Sequence, residues 1–147
     1  MLFRSAFATL GLMMLVACSA PSAPNIKIEF LSVRQGHAAD VGYFSIRNLG
    51  ETDDKLLAVE SSGYQRIEMH ATNMQDGIMQ MRQIDSFEVA AGTEYRFAPK
   101  GYHLMLFGRD ETVANPGFTF RFELSPPLTL TAKPYQSETE HHNGSMH

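Results

Sequence analysis

The chain has 147 residues, with 12 Lys and Arg against 16 Asp and Glu, nine methionines, no tryptophan and one cysteine. A net charge of −4 argues against a nucleic-acid partner, and a single cysteine excludes an internal disulfide. The length suits one domain.

Taken from the start, Arg4 supplies a positive n-region and residues 6–16 run apolar. That run is far short of the roughly 20 residues a membrane span needs, so residues 1–17 read as a secretory signal outside the fold. It ends in Leu15-Val16-Ala17-Cys18, which resembles a bacterial lipobox. In that motif cleavage precedes the cysteine and leaves its thiol carrying a diacylglycerol; the other reading is an ordinary signal with a chance cysteine. Ser19 follows in place of Asp, which points to the outer membrane of a two-membrane bacterium. Residues 18–25 then read as the lipidated cysteine and a short tether (SAPSAP, 19–24). With Cys18 lipidated, the folded part has no thiol. Thiol redox chemistry, a cysteine nucleophile and a blue-copper centre, which needs a cysteine thiolate, are all excluded.

The segment 26–135 reads as β throughout. Ile26 to Phe30 alternates apolar and polar, the period of a half-buried strand. Short β-prone runs follow at 41–48, 55–60 and 65–72, punctuated by Asn48-Leu49-Gly50 and Ser61-Ser62-Gly63. Runs at 78–84, 87–90, 95–98 and 103–107 continue the series, broken by Ala91-Gly92 and Pro99-Lys100-Gly101. Phe118, Phe120, Phe122 and Leu124 share one face of a late strand. Leu128, Leu130 and Ala132 share one face of the last, after Pro126-Pro127. No segment keeps a helical period over ten or more residues, and no internal repeat is visible. Strands of this length and spacing predict an antiparallel sandwich or barrel. The polar tail, 136–147, is expected to be disordered.

The stretch EMHATNMQDGIMQMRQ, 68–83, holds four of the nine methionines and one of six histidines. Residues two apart on a strand point the same way. His103 and Met105 therefore share a face, opposite Leu104 and Leu106, and Met79 shares a face with Met81. A strand ladder can bring His70 to the same place. Two imidazoles and two thioethers make a neutral, soft, four-ligand cage that suits Cu(I) and not Mg²⁺ or Ca²⁺. Such ligands also need no reduced thiol in an oxidising compartment. The competing reading is that these methionines are core filler.

The spacing His70-x10-Met81-x21-His103-x-Met105 resembles that of the PCu(A)C family of periplasmic copper chaperones. The surroundings agree: Tyr43-Phe44-Ser45-Ile46-Arg47-Asn48, Asp54-Lys55-Leu56-Leu57-Ala58-Val59, Gly77-Ile78-Met79-Gln80-Met81-Arg82 and His103-Leu104-Met105-Leu106. The resemblance spans Ala38 to Ala132. It implies a cupredoxin-like, Greek-key antiparallel β-sandwich holding one Cu(I) through His70, Met81, His103 and Met105. It also implies delivery of that copper toward the CuA centre of cytochrome c oxidase subunit II, with Sco-type thiol proteins as further partners. Two features depart from the pattern. Pro99-Lys100-Gly101-Tyr102 replaces a Pro-Gly-Gly-like turn, with Tyr102 either shielding a metal or packing. The lipid anchor contrasts with soluble relatives. Met69 and Met74 lie outside the ligand pattern, and Met74 reads as a transient ligand or as a core or surface residue. The tail carries His141, His142, Met146 and His147, a composition that suits a second site, for Cu(II), or is incidental.

The expected protein is thus a non-enzymatic, lipid-anchored copper chaperone on the periplasmic side of a bacterial membrane. The alternatives are a copper buffer or resistance protein without a dedicated acceptor, a small copper- or zinc-dependent envelope enzyme, and a structural lipoprotein with a methionine-rich core. Hydrolytic zinc sites commonly use three His or carboxylate ligands and an open water position, which two methionines argue against. Cys18→Ser is expected to move the protein out of the membrane fraction; a wild-type protein found wholly soluble, with an unmodified thiol, overturns the anchor.

Overall fold

The computed structural model describes residues 22–136. Cys18, the signal segment and the tail residues His141, His142, Met146 and His147 lie outside the described residues.

All regular structure among the described residues is strand. In chain order the strands are β1 (Ile26–Arg34), β2 (Asp40–Asn48), β3 (Asp54–Ser61), β4 (Tyr64–Gln75) and β5 (Ile78–Ile84). They continue as β6 (Phe87–Val89), β7 (Glu94–Phe97), β8 (Tyr102–Arg109), β9 (Gly117–Phe122), β10 (Leu128–Thr131) and β11 (Lys133–Pro134). They form two layers. One sheet runs β11-β1-β2-β8-β4-β5, with β7 also on β2; the other runs β10-β9-β3-β6. The chain crosses between layers repeatedly, so neighbours such as β2–β8 and β3–β9 are distant in sequence. The expected β-sandwich is the observed fold. Its pairs are antiparallel except for the short parallel contact of β1 with β11.

The inner faces meet in an aromatic core. Phe44 stacks on Phe97 at 4.2 Å and meets Phe120 edge-on at 5.0 Å. Phe118, Ile46, Leu56, Val89, Leu104 and Leu106 are fully buried with them. Each such side chain contributes about 1.5–3 kcal/mol by leaving water.

Two details depart from simple alternation. The period of Ile26–Phe30 would turn Phe30 inward with Ile26 and Ile28. A bulge between Glu29 and Ser32 places Phe30 at φ 56°, turns its ring to solvent at 75% exposure, and buries Leu31 in its place. At the other end, Phe118, Phe120 and Phe122 are buried as expected, but β9 stops at Phe122 and Leu124 is exposed. The Asp54 carboxylate accepts hydrogen bonds from the backbone N–H of Leu124 and Ser125, both at 3.0 Å, and so turns the chain away before Leu124 can join the face.

One buried amide ties the two layers at their edge. Asn48 Oδ1 accepts from the N–H of Asn25 (3.1 Å) and Gly50 (3.0 Å), and its Nδ2 donates to the carbonyls of Thr52 (2.8 Å) and Val89 (3.1 Å). Removing a buried partner exposes the desolvation cost of the groups left behind, about 1–3 kcal/mol each. Asn48→Ala is therefore expected to lower stability by on the order of 3 kcal/mol, read as a lower denaturation midpoint with an unchanged m-value. A midpoint equal to that of the wild type contradicts this role.

Candidate metal centre

Three adjacent strands, β8-β4-β5, build the site. Asp76 and Gly77 form the two-residue turn between β4 and β5, both at positive φ (51° and 77°). Asp-Gly favours such hairpin turns because the glycine has no Cβ to clash there. The turn pairs Gln75 with Ile78, and from it follow Met74 opposite Met79, Thr72 opposite Met81 and His70 opposite Gln83. On the other side of β4, His70 lies opposite His103 and Glu68 opposite Met105.

Alternation then sorts the faces. Met69, Ala71, Leu104 and Leu106 are buried on the core side. Glu68, His70, Met81, His103 and Met105 stand together on the opposite side of the sheet. The four ligands predicted from sequence thus lie on one face of three neighbouring strands. Met81 is on the far side of β4 from His103, yet its long unbranched side chain crosses over and brings Sδ to 2.9 Å from His103 Nε2. The rings of His70 and His103 are 5.9 Å apart, centroid to centroid. Met105 follows His103 by two residues on the same face and is half-buried.

The hydrogen bonds determine which nitrogens are free. His103 Nδ1 is 3.0 Å from the carbonyl oxygen of Gly101, which can only accept, so Nδ1 carries the proton. In the neutral ring, Nε2 then presents its lone pair toward Met81 sulfur, another lone-pair donor. His70 is the mirror case. Its Nε2 lies 2.9 Å from Glu68 Oε2, so Nε2–H donates to the carboxylate. Its Nδ1 is buried and has no partner. A carboxylate behind a ligating imidazole fixes tautomer and orientation in metal sites generally. Glu68 is itself held by Arg66, whose Nε is 3.2 Å from Oε1. Two neighbouring imidazoles, each with one unprotonated nitrogen, and a thioether 2.9 Å from one of them are a donor set that fits a soft cation. His70, His103 and Met81 give the cluster a mixed nitrogen–sulfur composition.

Glu68 was not among the residues expected from sequence. Its signal was the Glu68-x-His70 spacing, which puts both side chains on one strand face. Tyr102 lies on the other face and packs against Phe87 at 4.8 Å and Phe97 at 5.6 Å, so it is a packing residue and no cover for the site. Met69 is in the core, while Met74 and Met79 are exposed.

Residues 15–133 match the family described as "Putative lipoprotein LpqE-like". The chain belongs to the LpqE-like lipoprotein family. A relative is "Putative lipoprotein Lxx21020" of Leifsonia xyli subsp. xyli (strain CTCB07), 24% identical over 115 residues, which cover 74% of this chain and 69% of that one. Solved structures similar to this LpqE-like protein are PCuAC domains. The apo PCuAC domain of PmoF2 superposes with a TM-score of 0.61 at 20% identity, covering 78% of this chain and 94% of that one. The copper-bound PCuAC domain from PmoF2 gives 0.61 at 20% identity, covering 79% and 97%. The apo PCuAC domain from PmoF1 gives 0.60 at 19% identity, covering 80% and 100%. The PCuAC fold of this LpqE-like protein is thus the one its motif spacing resembled.

Burial holds the pKa of His103 below the ordinary histidine value, and the neighbouring His70 adds to this, while the Gly101 carbonyl acts in the opposite sense. A histidine with a lowered folded pKa takes up protons more readily when unfolded. The metal-free protein is therefore expected to lose stability as pH falls through about 6.5 toward the lower folded value, and to show none of this loss above it. His103→Gln is expected to reduce that fall in thermal midpoint between neutral and mildly acidic pH; an unchanged pH profile contradicts the assignment.

Proposed function

We propose that this LpqE-like protein is a lipid-anchored copper carrier of the bacterial envelope that binds Cu(I) through His70, Met81, His103 and Met105. The observation that carries the reading is the approach of Met81 Sδ to within 2.9 Å of His103 Nε2, with the His70 ring, whose buried Nδ1 has no partner, 5.9 Å from the His103 ring. Thioethers and neutral imidazoles favour Cu(I) over hard divalent ions. They also hold it without a thiol that an oxidising compartment would consume. Glu68 gives the site a nearby negative charge and keeps the His70 ring turned toward the ion. Met81 is exposed, so an acceptor reaches the bound ion from the sulfur side.

In this reading the protein is a chaperone and no enzyme. Cys18 anchors it on the periplasmic side of the membrane, and the outer membrane follows from Ser19. The acceptor, from the family resemblance, is the CuA centre of cytochrome c oxidase subunit II, with Sco-type proteins as companions. The tail residues His141, His142, Met146 and His147 add a second site for Cu(II). Support for copper comes from the donor set and from a fold shared with a copper-bound PCuAC domain.

The test separates ligand from filler. Leucine matches methionine in volume, and such core exchanges usually cost less than about 1.5 kcal/mol. Met81→Leu and Met105→Leu are expected to leave the metal-free thermal midpoint nearly unchanged while lowering Cu(I) affinity by an order of magnitude or more, in competition with a Cu(I) chelator. X-ray absorption of the Cu(I) form is expected to count two sulfur and two nitrogen ligands. Wild-type affinity in both variants overturns the site. Transfer to an isolated apo-CuA domain faster than release to buffer distinguishes a chaperone from a copper buffer.

A further inference from the structure

The tip of the β4–β5 hairpin carries two methionines that the four-ligand site does not use. Met74 and Met79 are directly opposite each other, one residue pair in from the Asp76-Gly77 turn. They are 68% and 52% exposed, and neither belongs to the core. Single exposed apolar residues are ordinary. Here, however, two thioethers face each other across one ladder rung, where Cβ atoms stand about 4.5–5.5 Å apart. Alternation adds a second fact. Met74 shares the face of Thr72 and His70 on β4, and Met79 shares the face of Met81 on β5. Two residues along a strand span about 7 Å. The Met74–Met79 pair is therefore the rung beyond Met81, on the ligand side of the sheet.

We propose that Met74 and Met79 form a second, outer site for a soft monovalent ion, through which Cu(I) enters or leaves the inner site by way of Met81. The direction of traffic rests on the function proposed above; the two-thioether site itself rests only on the hairpin. Transfer along it is ligand exchange. A copper–sulfur bond to Met81 forms as one to Met79 or Met74 breaks, the ion stays Cu(I), and no electron or proton moves. Two exposed thioethers hold the ion more weakly than two imidazoles and two thioethers, so the outer site fills second and empties first.

Full-length protein labelled with ¹³C at the methionine methyls, titrated with Ag(I) as a redox-inert probe, tests this directly. Single Met→Leu variants assign the signals. The first equivalent is expected to shift Met81 and Met105, and further Ag(I) is expected to shift Met74 and Met79 together. The double variant Met74→Leu/Met79→Leu is expected to keep the affinity for the first Cu(I) but to take it up severalfold more slowly from a chelator. If Met81 and Met105 shift while Met74 and Met79 stay still at excess Ag(I), the outer site is wrong and the inner one stands. If Met74 and Met79 shift but the double variant loads at the wild-type rate, they bind adventitiously and the route is wrong. If Met74 and Met79 shift while Met81 and Met105 do not, the proposed copper site falls and the outer site survives it.

Discussion

The register of β4 between β8 and β5 is the constraint on which the rest depends. Side chains alternate faces on a strand, so moving β4 by one residue would exchange its two faces. In the observed register Met69 and Ala71 enter the core beside Leu104 and Leu106, which are 0% and 1% exposed. His70 and Glu68 are thereby turned outward, opposite His103 and Met105. A slipped register would bury a charged carboxylate and an imidazole and expose apolar side chains. The free energy that holds the sandwich together therefore also specifies which residues make up the candidate ligand face.

The second organising element is the hairpin turn. With only Asp76 and Gly77 between the strands, β5 has a single way to lie against β4. That pairing sets Met81 one strand beyond His70 and requires its side chain to cross β4 to reach His103. A branched side chain of similar size could not make that reach. Methionine combines the length, the flexibility and the soft donor in one residue. The site is thus rigid on its histidine side, where His103 is buried and bonded to Gly101, and adaptable on its sulfur side, where Met81 is exposed.

Charge is arranged around the site rather than in it. The candidate ligands are neutral when His103 and His70 are unprotonated. Glu68 supplies a nearby carboxylate, and it is held between the His70 ring and Arg66, whose guanidinium also lies over the Phe107 ring at 4.4 Å. Arg66 is exposed, so its pair with the half-buried Glu68 is screened by water on one side and adds little stability by itself. Its structural consequence is to hold the carboxylate where it fixes the His70 tautomer.

Much of the fold was legible in the residues. Alternating runs and their turns located the longer strands and excluded helices, because period-two hydrophobicity records which side chains leave water. What alternation missed has local causes. Phe30 is exposed because a bulge inserts one residue into β1, and a bulge leaves the composition of a strand unchanged. Leu124 leaves its expected face because Asp54, seventy positions earlier, captures the backbone beyond β9. The short strand β11 was not foreseen, since Lys133 and Pro134 pair with β1 from the far end of the chain.

For the site, the spacing of His70, Met81, His103 and Met105 in the sequence already determined the donor types and, through the period of two, that His103 and Met105 share a face. The register that sets Met74 opposite Met79 was not read from the sequence: the run expected at 65–72 stops short of the Asp76-Gly77 turn, which β4 reaches only by continuing to Gln75. The sequence could not determine which strands lie side by side, because β4 and β8 are far apart in the chain and only the closing of the sandwich brings them together. Nor could it decide which imidazole nitrogen is free. That depends on two partners that only the tertiary structure positions, the Gly101 carbonyl behind His103 and the Glu68 carboxylate behind His70, each of which ties up one ring nitrogen and leaves the other free of its proton.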